Sequence, residues 1–484
     1  MPIQSSRQLR IVQVAACLGF VIVLLDVSVV NVALESLRSA FGANVTGLQW
    51  VINAYALIFA ALLLTAGALG DRVGAKRVYM SGLALFTAAS AGCGLATALD
   101  GLIAFRIAQG LGAALLVPSS LSLIRQVFHD ADMRSRAIGW WAAGGGIALA
   151  AGPVIGGVLI GALGWRSIFL INLPIGVLGL VLVARYAPAS TTPVLTATQA
   201  QQNRGLDLRG QCAGASSLAS LTVALTEASR LGWTHPLIVG AFAGFVVTGA
   251  LFVWIEARSP SAMLPLTLFS DTTVSSATVI GLIANLAFYG IVFAFSLYFQ
   301  SVRHLDPTRT GIAFLPMMAI LVVMNIAAGR IVTRFGARTL TVAGLLVSAC
   351  GYLLLLSVSA TQPYALLAIP MLLAGGGIAL TIPTITNATL AAVPHTQAGI
   401  ASGLLNAARQ VGGVIGVALF GFFIRDPDPA RFIDGLHVAL ITSAVLLGIA
   451  ALIGYLGVKT RTGDDTPALA CIAATTVRTS RASR

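Results

Sequence analysis

Long apolar runs separated by short polar ones set the pattern of this chain. Runs of about 18 to 25 residues, long enough for a helix to cross a hydrocarbon layer of about 30 Å, occur fourteen times. Their approximate limits are 11–33, 47–69, 78–98, 101–124, 137–161, 167–187, 211–230, 235–256, 273–299, 311–331, 339–358, 364–390, 398–424 and 435–458. The expected elements are therefore fourteen membrane-crossing helices. A stretch rich in Ser, Thr, Pro and Gln, 187–209, follows the sixth run, and a polar tail follows the last. An internal echo organises the rest: GALGDRVGAK at 67–76 and GRIVTRFGAR at 329–338 each follow the second run of a block of six. The echo predicts two parallel repeats: an N-terminal six-helix bundle over 1–187, a cytoplasmic linker over 188–210, two accessory helices over 211–257, a C-terminal six-helix bundle over 258–459 and a disordered tail over 460–484.

Composition agrees, with 57% hydrophobic and 9% charged residues and a mean hydropathy of +0.92, values foreign to a soluble domain. Of the 29 Lys and Arg, twenty fall on one side when loops are alternated from an inside N-terminus, seven on the other, and Arg106 and Arg409 lie within runs. The positive-inside rule then puts both termini in the cytoplasm, and the expected location is the cell's cytoplasmic (inner) membrane. Topology and anionic lipid account for the net charge of +13, and a nucleic-acid partner is not needed. Arg7 and Arg10 precede the first run as in a signal peptide, but its length, Asp26 and the lack of a small-residue cleavage site predict that it is retained. Five cysteines and five histidines are scattered without metal-ligand spacing, and neither a GxxxxGK[ST] loop nor a nucleophile with a base is evident. The expectation is no enzyme, no metal and no cofactor.

Asp26 and Arg106 are the buried charges of the first six runs. An ionisable group at such depth is costly enough that it faces a cavity or a partner, and low dielectric disfavours a lone carboxylate's charged form. Asp26 is thus a candidate proton carrier, or else a structural acid capping backbone groups with Ser28 or Asn31. Arg106 keeps its proton and either tunes a nearby carboxylate, sharing a network with Gln109 one turn on, or snorkels to the interface. At the end of the second run Gly67, Asp71, Arg72, Gly74, Lys76 and Arg77 read as a tight turn with bases for anionic lipid. Asp71 is also placed to meet the positive end of a helix beginning near Ala398, a latch that breaks when the bundles rock. Thr333 replaces the acid in the second copy. Gly152, Pro153, Gly156 and Gly157 in the fifth run allow close packing against the other bundle and a bend; Gly412 and Gly416 repeat the spacing.

LDVSVVNVAL (25–34), GALGDRVGAKR (67–77), LIAFRIAQGLGAALLVP (102–118) and AAGPVIGGVL (150–159) follow one another in order, with WRSIFLINLPIG (165–176) and ASGLLNAARQVGGVIGVAL (401–419) beyond them. In this the chain resembles the major facilitator superfamily, and within it the fourteen-span drug:proton antiporters, over 10–458. Glu35 departs from the proline common there, and leaves the end of the first span open.

The resemblance implies an all-α membrane fold and multidrug efflux by alternating access, with the proton gradient as energy source. It implies a proton-coupling pair of Asp26 and Arg106, a gate in the 67–77 motif, and an antiporter seal at 152–157. Partners would be small-molecule drugs or lipophilic cations, protons and membrane lipid, with the protein a monomer. A cavity drawn from Asn31, Gln109, Asn285, Phe288, Tyr289, Phe293, Phe295 and Asn406 would hold an apolar or cationic compound, although such residues also simply pack. No acid lies deep in the last six runs, so Asp26 as the main embedded acid favours neutral or monocationic cargo. Other readings are export of one self-made metabolite or antibiotic, a proton-driven peptide importer whose ExxER cluster is missing, and a non-transporting receptor or scaffold.

Overall fold

The structure, a computed structural model, describes residues 6–128, 130–188, 207–259, 264–394 and 397–459; for Ser6, Leu64, Asp71, Ala131 and Thr333 only the backbone is described. Most of the linker expected at 188–210 and the tail expected at 460–484 lie outside these residues.

Every described element is helical. The first set is α1 (Ser6–Val32), the short α2 (Leu34–Phe41), α3 (Val45–Val73), α4 (Ala75–Leu95), α5 (Leu99–Val127), α6 (Ala131–Leu163), α7 (Ser167–Leu170) and α8 (Asn172–Tyr186). Two more follow, α9 (Leu208–Leu231) and α10 (Pro236–Arg258). The last set is α11 (Thr272–Leu297), α12 (Pro307–Ala313), α13 (Leu315–Phe335), α14 (Ala337–Leu354), α15 (Ala365–Ala392), α16 (Ala398–Phe423) and α17 (Pro429–Gly457). Thirteen helical segments among the described residues are long and apolar enough to cross a membrane. Large apolar side chains such as Val246, Val247, Leu251 and Trp254 on α10 point outward, as lipid contact requires. This is a multi-pass membrane protein.

The one expected span outside that set is the seventh, the 24-residue α9, too polar for that criterion. Its polarity has partners. Asn53 Nδ2 donates to Thr226 Oγ1 at 3.3 Å, Trp50 Nε1 to Glu227 Oε1 at 2.8 Å, and Gln211 Nε2 to the Ala61 carbonyl at 2.6 Å. Packed between α3, α16 and α10, α9 meets helices where α10 meets lipid, and interhelical hydrogen bonds do for it what apolarity does elsewhere.

The two sets repeat one another's pairings. In the first, α1 packs on α5, α6 and α8, and α4 on α5 and α8; in the second, α11 packs on α15, α16 and α17, and α14 on α15 and α17. The motif echo lands on matching joints. Gly74 (φ +101°) links α3 to α4 and Gly336 (φ +79°) links α13 to α14, positive φ values that glycine alone adopts freely. Just beyond each, a base ties down the last helix of its own set: Lys76 Nζ donates to the Ala187 carbonyl at 2.7 Å, and Arg338 lies 4.0 Å from the centre of the Tyr455 ring.

Helix ends are equally local in origin. Asp271, Asp306 and Asp428 each accept backbone N–H bonds as N-caps, which is why these acids stand at ends of runs. The tenth expected span divides into α12 and α13 at Pro316, and the sixth into α7 and α8 ahead of Pro174, since proline lacks the N–H that a helix interior uses.

Candidate functional site

Termini-side ends of the helices define the near face, and the ends of α1 and α11 the far face. Six residues before the end of α1, Asp26 is fully buried, as are Ser90, Gln109 and Asn172, with Arg106 1% exposed. Arg106 Nη1 donates to Asp26 Oδ2 at 2.5 Å and to Gln109 Oε1 at 2.9 Å, while its Nε donates to the Val51 carbonyl at 3.0 Å. Gln109 Nε2 and Asn172 Nδ2 donate to Asp26 Oδ1 at 3.2 and 3.3 Å, and Gln109 also reaches Ser90 Oγ at 2.7 Å. The Tyr55 ring lies under the guanidinium, 4.3 Å away, a cation–π contact. One carboxylate thus ties α1 to α5 and α8, with α3 and α4 closing the network. Taking an ion pair out of water costs several kcal/mol per ion, recovered only where geometry and further hydrogen bonds are good; here both conditions are met.

A few residues further along α1 the two sets of helices meet at the far face. Ser296 on α11 hydrogen-bonds the Asn31 carbonyl, Ser301 Oγ donates to Glu35 Oε2 at 2.7 Å, and Gln49 Nε2 on α3 donates to the Val417 and Ala418 carbonyls of α16 at 3.0 and 2.8 Å. Thr308 Oγ1 donates to the Gly157 carbonyl at 3.1 Å. Added β-carbons measure the closeness of approach. At Gly157 one would strike the Pro307 carbonyl, and at Gly311 the Pro153 carbonyl; at Gly152 and Gly156 it would meet Ser28 and Val29 of α1. Toward the near face a β-carbon at Gly399, which is exposed, would meet nothing within 4 Å, and one at Gly67 would meet only Pro118 of α5 in its own half.

The sequence profile of the Major Facilitator Superfamily matches residues 16–417. The chain belongs to this superfamily. Among relatives, the Methylenomycin A resistance protein of Streptomyces coelicolor is 37% identical over 442 residues, covering 91% of this chain and 90% of that one. Multidrug resistance protein Stp of Mycobacterium tuberculosis is 38% identical over 408 residues, 84% of this chain and 74% of that one. The crystal structure of a D-xylose-proton symporter superposes with a TM-score of 0.70 at 16% identity, over 94% of this chain and 99% of that one, a likeness of fold.

Within the superfamily frame, the site residues expected from sequence divide clearly. Asp26, Arg106 and Gln109 come together in one network, so Arg106 is buried and does not snorkel. Asp26 is paired with Arg106, and the two together carry no net charge. Of the fifth-run motif, Gly152 and Gly156 seat α1 of their own half, against the expected packing on the other bundle; Gly157 and Pro153 make that contact. The described bonds of Lys76 go to Ala184 and Ala187 of its own half, Arg77 is exposed, and the side chain of Asp71 lies outside those described, so the latch near Ala398 is not described either. Asn285 bonds the Gly281 carbonyl of its own helix, Asn31 the Val27 carbonyl, and Phe288, Phe293 and Phe295 are buried in packing; all five belong to the core. Tyr289 and Asn406 alone of the cavity set keep accessible surface on the second half.

Sequence reasoning passed over Ser90, Asn172 and Tyr55, which carry no charge. It also gave Glu35 no role, though it reaches across to the second half.

Proposed function

We propose that the protein is a proton-coupled exporter of small lipophilic drugs, built as a fourteen-span antiporter with α9 as the additional membrane helix. The observation that carries the reading is a protonatable carboxylate, Asp26, paired with Arg106 on the same helix that forms the far-face closure at Asn31. Asp26 and Asn31 are five residues apart, about 8 Å of helix rise. In the orientation read from the basic residues, with both termini in the cytoplasm of the inner membrane, the near face is cytoplasmic and the structure is closed outside. Cargo enters from the near side. Protonation of Asp26 from outside removes its charge, releases its hold on Arg106 and loosens α1; deprotonation inside restores the pair. One proton descending about 100 mV supplies roughly 2.3 kcal/mol, enough to sustain a gradient of about fiftyfold in a neutral solute.

A second reading, export of one antibiotic or self-made metabolite, is favoured by the relative named for methylenomycin A alone. The test of both is expression in a bacterial host stripped of its own drug pumps, scored against a panel of antibiotics and dyes with and without a protonophore. Protonophore-sensitive resistance to several compounds supports the first reading and to one compound the second. Unchanged susceptibility throughout, with protein in the membrane, contradicts both.

A further inference from the structure

The second half holds one arginine deep in a span, and its situation is the reverse of that of Arg106. Arg409 lies near the middle of α16, its stem against Gly281 of α11. Among the described residues its hydrogen bonding is a single contact, from Nη1 to Asn406 Oδ1 at 3.2 Å, and its buried Nε has no partner among them. Among the described residues no carboxylate is within ion-pair distance of it. A guanidinium carries five N–H donors in a planar fork, and Arg106 shows how this fold satisfies one when the role is structural: a carboxylate, an amide and a backbone carbonyl.

The neighbours of Arg409 are also unfinished. Tyr289 of α11 lies within electrostatic range of both Arg409 and Tyr55. The Tyr289 hydroxyl makes no hydrogen bond among the described residues, and the Tyr55 hydroxyl is buried without a partner. Arg409, Asn406 and Tyr289 each keep part of their surface accessible. The Asp26–Arg106 pair contributes no net charge to this region, so Arg409 leaves it with one uncompensated positive charge.

We propose that Arg409 is the anchor for an anionic group, a carboxylate or an ionised phenol, of the exported compound, with the Tyr289 and Tyr55 hydroxyls as further donors. This rests on the transport reading above and specifies the cargo: amphipathic monoanions with an apolar body. A planar guanidinium grips a carboxylate through two parallel hydrogen bonds, which an ammonium does not reproduce.

The test uses the purified full-length protein in detergent and two probes of one shape, 1-naphthoate and the neutral 1-naphthamide, by equilibrium dialysis at pH 7. A charge-assisted bond is worth about tenfold or more in affinity, so the wild type should prefer naphthoate by about that factor. Arg409→Gln should bring the ratio to near one, and Arg409→Lys should retain part of it. A wild-type ratio near one or below, including no binding of either probe, overturns the proposal, as does a preference that survives Arg409→Gln. If the glutamine variant does not fold, the wild-type and lysine ratios decide: a lysine variant that keeps the full preference argues against the planar grip. Proteoliposome efflux of two dyes, one neutral and one monoanionic, separates the two levels of the argument. Wild type that exports a dye without preferring naphthoate overturns the anion site alone; wild type that exports neither removes the transport reading beneath it.

Discussion

Burying Asp26 and Arg106 together makes each dependent on the other. Arg106→Gln leaves a carboxylate in a dry network with two amides for company, and a loss of about 3–5 kcal/mol is expected, read as a large drop in thermal unfolding temperature in detergent. Asp26→Asn added to Arg106→Gln removes the stranded charge, so the double variant should be more stable than Arg106→Gln alone. A double variant less stable than the single one would mean that the pair is not the source of the effect. The sequence shows both charges plainly because each interrupts an apolar run. It does not show that they meet, since eighty residues separate them, and it does not single out Ser90 or Asn172, because single uncharged polar residues are common in membrane helices. Arg409 was visible by the same contrast, but its missing partner becomes apparent only once the neighbouring helices are in place.

Glycines decide where helices approach most closely. Gly412 and Gly416 of α16 lie against the Leu282 and Leu286 carbonyls of α11, with no room for a β-carbon. Gly412→Val should therefore destabilise the second half by at least about 1–3 kcal/mol through forced separation, seen as a lowered unfolding temperature. Gly157 holds a different kind of contact, between the halves. Gly157→Val should spare the fold and shift the population away from far-face closure, so a cysteine placed at Ser296 should react faster with a membrane-impermeant thiol reagent. Equal rates in the two backgrounds would show that this contact does not hold the far face shut. Periodicity and length made most of these elements legible, and the recurrent glycine motif marked matching joints. The α9 helix was counted as a span by length but is too polar for a hydropathy criterion, because hydropathy measures what faces lipid and α9 faces other helices. The breaks ahead of α8 and α13 were missed although prolines signal both.

Across the whole molecule, two halves with the same internal pairings are joined at the far face, an arrangement suited to rocking about a central axis. Cysteines at Glu35 and Ser301, in a background lacking the five native cysteines, are expected to cross-link and to arrest export until reduced; export that continues through a completed cross-link would rule out opening at that point. The central claim is that Asp26 carries the proton that drives this motion. Its most direct test is dye efflux from proteoliposomes under an imposed pH gradient, wild type against Asp26→Asn at matched protein, with passive dye exchange measured in parallel. The account predicts gradient-driven efflux by the wild type, and exchange without gradient-driven accumulation by Asp26→Asn. Equal accumulation by the two proteins would contradict it and leave Asp26 a structural anchor for Arg106.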